Sequence, residues 1–311
     1  MVFLKVNQID VFSDMKVSRL ITQFEESGVL GSGRVARACN ILTNMIEDEN
    51  TNVFMSLGGP LISGGLRNIV TNMIKERHVN LIISSGANIT HDLLEAFGGN
   101  HYRDEGKSDE ELNAEGIGRI ADINVGSDDF AIFEKEIIKI FEDISARKSL
   151  ISIQELLYEI GLLIEDENSF VANAARNNVP IFAPGLIDSM IGLQLWMFSQ
   201  DHDFVINAIG DMPYLSDIVF ESKRVGGILL GGGLTKHYTL ASTLLKGGLD
   251  ICMVRLVFPI AITHKKRGMF QARIIGLQQT VGTQRRRIDP ELHPREAIKI
   301  RIARYFPVAD R

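Results

Sequence analysis

With 311 residues, 45% of them hydrophobic and 23% charged, and a formal net charge of −6, the chain can bury a full core and is neither disordered, collagenous nor fibrous. Its apolar runs are strand-sized and flanked by charges, so no membrane span is expected. Residues 1–15 carry Asp10 and Asp14 with no secretory signal pattern, which points to the cytoplasm, and Cys39 and Cys252 alone are too few for a disulfide framework or a four-cysteine zinc site.

In chain order, Val17 to Asn50 reads as two helices broken across Gly28 to Gly33. Gly31-Ser-Gly33-Arg-Val-Ala36 is the nearest match to a dinucleotide fingerprint, with acids further on at Glu47, Asp48 and Glu49. Such a fingerprint must follow a strand, and Ile21 to Gly28 is helical in pattern, so a helix end and restart is expected instead.

From residue 52 the chain repeats one grammar, an apolar run, a loop of small residues, then an amphipathic helical pattern. The runs are Asn52–Leu57, Val79–Ile83, Val179–Phe182 and Gly227–Leu230. Their loops are Gly58–Gly65, Ser84–Asn88, Ala183–Asp188 and Gly231–Gly233, and the helices follow at Leu66–Glu76, Ile89–Phe97, up to Trp196, and Thr235–Lys246. Asp104 to Glu115 reads as an acidic, solvated segment, and Phe130 to Ile164 as two more helices.

Strands alternating with helices need crossover connections, which predict an α/β fold: a doubly wound, mostly parallel, Rossmann-like sheet with helices on both faces. In such sheets ligands bind beyond the carboxyl ends of the strands, where backbone N–H groups and helix N-termini are free to meet phosphate oxygens. The four loops are therefore the candidate site. Gly231-Gly-Gly233 can form an anion cradle or a tight turn beside packed backbones, and Ser84-Ser-Gly-Ala-Asn88 can bind or simply cap a helix. His91 and His237 lie just past these loops, and Asp188 suits a ribose hydroxyl, a cation or a helix cap. No His-Glu-x-x-His, Gly-x-Ser-x-Gly or Cys-x-x-Cys occurs, so zinc hydrolysis and nucleophile-elbow chemistry have no support, and no metal site is expected.

Charge divides the chain unevenly. Residues 251–311 hold 13 of the 33 Lys and Arg and only four of the 39 acids, leaving 20 bases against 35 acids before them. A basic tail can meet phosphates, but this one lacks any stacking-module signature, and nucleic-acid binding is not expected.

Five stretches together resemble the deoxyhypusine synthase family: Leu61-Ile-Ser-Gly-Gly-Leu-Arg67, Ile83-Ser-Ser-Gly-Ala-Asn-Ile-Thr-His-Asp-Leu-Leu94, Glu115-Gly-Ile-Gly-Arg-Ile120, Val179-Pro-Ile-Phe-Ala-Pro-Gly-Leu-Ile-Asp188 and Ile228-Leu-Leu-Gly-Gly-Gly-Leu-Thr-Lys-His237. The resemblance covers roughly residues 50–253. It implies a homotetramer that uses NAD to transfer the aminobutyl group of spermidine, through an imine on an enzyme lysine, to a lysine of the hypusine-bearing translation factor precursor. By position it implies cofactor contacts at Ser63, Ser85, Gly86, Ala87, Asp188 and Gly231, and a substrate-side histidine at His237.

Four departures qualify that likeness. Pro60 replaces the family's asparagine, Thr90 and His91 replace its paired glutamates on the substrate side, and Leu193 replaces its second aspartate. A polyamine needs carboxylates to replace its hydration, so these changes bear on the amine donor. The fourth is larger: the family's catalytic lysine lies in Trp-Gly-Lys, whereas the only tryptophan here is Trp196, followed by Met197. Lys299 stands too close to Ala297 to be its equivalent, and the catalytic nucleophile is unknown.

The expected organisation is thus one NAD-binding α/β domain over 1–253 and a basic tail over 254–311 that departs from the family, read in a shifted frame or replaced. Two alternatives stand beside the expected transferase: homospermidine-type transfer to a small amine, and a non-catalytic NAD-binding partner subunit.

Overall fold

The computed structural model describes residues 4–255, so the expected basic tail lies outside the described residues apart from Val254 and Arg255. The chain opens with α1 (Val17–Ser27) and α2 (Leu30–Glu47), followed by β1 (Thr51–Leu57). A π-type turn at Ile62–Leu66 leads to α3 (Arg67–Lys75), β2 (Leu81–Ser85) and α4 (Gly86–Ala96). Then come β3 (Tyr102–Arg103), α5 (Asp109–Ala114), β4 (Ile117–Ile120), β5 (Ile123–Gly126) and α6 (Ser127–Ser145). Next are β6 (Leu150–Ser152), α7 (Ile153–Leu163), α8 (Phe170–Arg176), β7 (Ile181–Gly185) and α9 (Met190–Phe198). The last are β8 (Val205–Asn207), α10 (Asp211–Glu221), β9 (Arg224–Leu230), α11 (Gly233–Leu244) and β10 (Ile251–Arg255). Among the described residues no helix is long and apolar enough to cross a membrane.

The central sheet has the order β10-β9-β1-β2-β7, and every neighbouring pair is parallel. Counted within this sheet alone the strands run 5-4-1-2-3, the Rossmann order. The chain winds from β1 to one side through β2 and β7, then returns to β9 on the other side of β1. Adjacent strands β1 and β9 therefore send their connections in opposite directions, which opens a crevice past their carboxyl ends.

Both sheet faces are buried, which is why these strands are nearly continuous in apolar residues. Alternate residues part to two cores, as a two-residue period demands. Val53, Met55, Leu57, Ile82, Ile181 and Ile228 enter the larger core, which α3, α4 and α6 to α9 complete. Phe54, Leu81, Ile83, Phe182 and Val225 face the other way, against Leu215 and Val219 of α10 and Tyr238 of α11.

The structure moves several expected boundaries. Gly28 adopts φ +69° and ends α1, but α2 restarts at Leu30, so Gly31 and Gly33 are helical and the fingerprint-like stretch follows a helix. The segment Asp104–Glu115 is less loose than its composition suggests, because Ser108 and Glu111 form a capping box that starts α5, with Leu112 buried. Around it β3, β5 and β4 make a small antiparallel sheet, and β6 pairs in parallel with β8; neither sheet was expected.

Beneath the larger core lies a buried charged hub. The Asp92 carboxylate, wholly buried, accepts from Arg67 Nε (2.7 Å), Ser169 Oγ (2.5 Å), Phe170 N (3.1 Å) and Val171 N (3.2 Å). Arg67 also reaches Asp166 at 2.7 Å, tying α3, α4 and the start of α8 together. Removing one partner of such a pair strands the other charge without solvent. Arg67→Met is therefore expected to destabilise the fold by about 3–5 kcal/mol, read as a lowered urea midpoint at unchanged slope.

Candidate functional site

Four of the predicted loops stand side by side at the carboxyl end of the sheet, in the strand order β9, β1, β2, β7. They carry, in that order, Gly231, Ser63, then Ser85, Gly86 and Ala87, and finally Asp188. The cofactor-side residues predicted from sequence thus share one edge of the molecule.

At the crevice, the loops after β1 and β9 meet with no side chain between them. A Cβ added to Gly231 would stand 2.6 Å from the Gly58 carbonyl oxygen, and one added to Gly58 would stand 2.7 Å from that of Gly232. Gly231 also has φ +85°, a conformation that only glycine adopts without strain. The Gly58 N–H donates to the Leu230 carbonyl at 2.8 Å and locks the approach. Beside it, the buried Thr235 Oγ1 lies 3.0 Å from the position of a Gly58 Cβ and has no hydrogen-bond partner.

Asn88 joins the first loop to the second. Its side-chain oxygen accepts from Ile62 N and its amide nitrogen donates to the Leu57 carbonyl, both at 3.2 Å. Ser85 caps α4 by accepting from Asn88 N at 3.3 Å, which starts the helix at Gly86 rather than at Ile89. The N-termini of α4 and α11 therefore both open at this edge, with their uncompensated N–H groups and positive dipole ends. Ser63 is buried in the first loop, Ala87 is exposed, and Asp188 is exposed beyond β7.

The three substrate-side residues separate. His237 is exposed on α11. Thr90 is buried, and its hydroxyl accepts from Ile191 N at 3.3 Å, holding the first turn of α9. His91 is buried and takes part in a relay that sequence reading missed: its Nδ1 lies 2.8 Å from His101 Nε2, and His101 Nδ1 lies 2.7 Å from Glu95 Oε1. With Glu95 accepting from His101 Nδ1–H, His101 Nε2 accepts from His91 Nδ1–H, which leaves the other nitrogen of His91 as an acceptor. Burial, aided by neighbouring His101, drives the pKa of His91 down from 6.5 to about 4. It is a neutral imidazole at ordinary pH, not a cation. Among the described residues, no group of three His, Cys, Asp or Glu side chains is arranged to hold a metal ion.

A Rossmann-ordered parallel sheet with a glycine-lined switch point and two helix N-termini past its strand ends defines a doubly wound α/β protein. The deoxyhypusine synthase family profile matches residues 19–258. A protein of Methanothermobacter thermautotrophicus named as a probable deoxyhypusine synthase is 53% identical over 250 residues, covering 80% of this chain and 81% of that one. One of the same description from Methanopyrus kandleri is 39% identical over 237 residues, 76% of each chain. A crystal structure from Entamoeba histolytica assigned to deoxyhypusine synthase shares the fold, with TM-score 0.57 at 18% identity over 72% of this chain and 78% of that one. The chain belongs to the deoxyhypusine synthase family.

The His91 relay carries a pH dependence with a definite sign. An unfolded histidine takes a proton below pH 6.5, whereas the folded one stays neutral down to about pH 4. Its contribution is therefore fully present above pH 6.5 and lost as pH falls towards 4, about 3 kcal/mol in all. The difference in denaturation free energy between wild type and His91→Asn is expected to change with that slope over this window and to be flat above it.

Proposed function

We propose that this chain binds NAD across the row of loops at the carboxyl end of its sheet and takes spermidine as the amine from which hydride is removed. The single observation that carries the reading is the glycine contact between Gly58 and Gly231, set beside two helix N-termini. Gly233, where an added Cβ would meet nothing within 4 Å, the free N–H groups that open α4 and α11, and the unpartnered Thr235 hydroxyl fit a dinucleotide phosphate. Bound NAD supplies a two-electron acceptor for the hydride on the carbon next to the donor's secondary amine.

The chain's own residues divide the work. Gly231 and the first N–H groups of α11 donate to the phosphate oxygens, and Ser85, Gly86 and Ala87 at the start of α4 bind beside them. Asp188 offers a free carboxylate to ribose hydroxyls, and Ser63 lines the first loop. Thr90 keeps α9 seated against α4, and neutral His91 sits where the family carries a glutamate. The reading includes the cytoplasm as compartment, a homotetramer as assembly and the hypusine-bearing translation factor precursor as the family's acceptor.

Transfer of the aminobutyl group needs a deprotonated lysine to form a C=N bond as the diamine leaves. Trp-Gly-Lys is absent from residues 1–311, so the isolated chain removes hydride from spermidine and stops there. That absence also favours a second reading, in which the chain is the NAD-binding partner of a catalytic paralogue.

Calorimetric titration tests the first step: NAD binds the wild type, and Gly231→Ala weakens it at least tenfold. Absence of NAD binding overturns the whole proposal. Addition of spermidine with NAD is expected to give NADH absorbance without deoxyhypusine in the translation factor. Sustained transfer by the chain alone would refute the halted reaction and the partner reading together.

A further inference from the structure

The buried histidine relay is built to move a proton. Among the described residues Nε2 of His91 makes no hydrogen bond, and it is not one of the enclosed side-chain atoms left without a partner, so the 6% of His91 that stays exposed takes in this nitrogen. The rest of the ring packs against His101, with centroids 4.8 Å apart, and Phe130 at 6.4 Å.

A proton arriving at Nε2 does not stay on His91, because burial disfavours the cation there. The His91 Nδ1–H bond is aimed at His101 Nε2, 2.8 Å away. As an N–H bond forms at His91 Nε2, the Nδ1–H bond breaks and its proton passes to His101. His91 is then neutral again, as its other tautomer, and the positive charge rests on His101, where Glu95 Oε1 meets it at 2.7 Å.

The surrounding charges leave Glu95 to that task. From α3, Arg67 stands 3.6 Å from the second Glu95 oxygen but is matched by Asp92 and Asp166, each at 2.7 Å. From α6, Asp129 is taken up by the N–H groups of Asn100 and Gly126. On the open side of His101 stand Arg103, Asp104 and Glu105, and the last two also answer to Arg119 and Lys107.

We propose that His91, His101 and Glu95 form a proton relay that deprotonates the amine donor before hydride leaves it, with His101 and Glu95 as positioning residues. The proposal rests on the preceding reading for the substrate it serves. Loss of hydride from the carbon beside nitrogen uses the nitrogen lone pair to form C=N, so an amine that is protonated at neutral pH must first give up its proton. That proton goes to His91 Nε2 and comes to rest on His101, the hydride with its electron pair goes to NAD, and the donor is left as an iminium cation.

Nitrogen NMR of the histidine rings in the full, ligand-free chain reads the relay directly, with His91→Asn and His101→Asn assigning the signals. At neutral pH His91 is expected to carry its hydrogen on Nδ1, and on acidification to carry it on Nε2 as His101 gains a second N–H. A His91 hydrogen on Nε2 at neutral pH overturns the relay. Glu95→Gln keeps the shape and removes the charge, and it is expected to slow NADH formation from spermidine at least tenfold at about pH 7. The deficit is expected to shrink towards about pH 10, where solution itself deprotonates the amine. An unchanged rate, or a deficit constant with pH as a merely structural role would give, also overturns the relay. NAD is expected to bind Glu95→Gln as it binds the wild type. If the wild type binds no NAD, the cofactor reading fails and the ring tautomers alone decide for or against the relay.

Discussion

The architecture rests on two backbones that pass within touching distance where β1 and β9 end. Neighbouring strands whose connections leave in opposite directions can open a usable crevice only if the loops clear one another. Gly58 and Gly231 give that clearance because neither carries a Cβ, and the Gly58 N–H bond to Leu230 fixes it. From this one approach follow the position of the α11 N-terminus, the seat of Thr235 beside Gly58, and the alignment of the four loops. A methyl group at either glycine would displace main chain, not a yielding side chain.

What the sequence made legible follows from burial. Strands covered on both faces are apolar without interruption, so four of the five central strands stood out at nearly their true positions. The fifth, β10, is one short run next to the change in composition, and it emerges only through its pairing of Ile251 with Gly226 and Cys252 with Gly227. The small sheet was missed because its strands have two to four residues and mostly exposed or half-buried positions, too short for a period to register. Its capping box at Ser108 and Glu111 was the one local signal on offer.

The candidate site divides in the same way. Glycine and serine loops after strands announce a crevice, and the structure aligns them. Side-chain partnerships over long separations do not announce themselves. Thr90 meets Ile191 across 101 positions, and Asp92 gathers groups 25 to 79 positions away. His101 carried no signal of its own, since only the turn between α4 and β3 brings it back onto His91. The stretch from Thr90 to Asp92 is a packed polar seam, its side chains held by Ile191, His101 and Arg67.

Asn88 shows how narrow such a seam can be. One side-chain amide uses both its ends, donating to the end of β1 and accepting from the turn at Ile62. Aspartate has the same outline but no N–H to offer, so it would bring a negative oxygen against the Leu57 carbonyl. Hydrolysis of this one amide, with water taken up and ammonia released, would therefore remove the donor that joins the first loop to the second while leaving the outline of the side chain nearly unchanged.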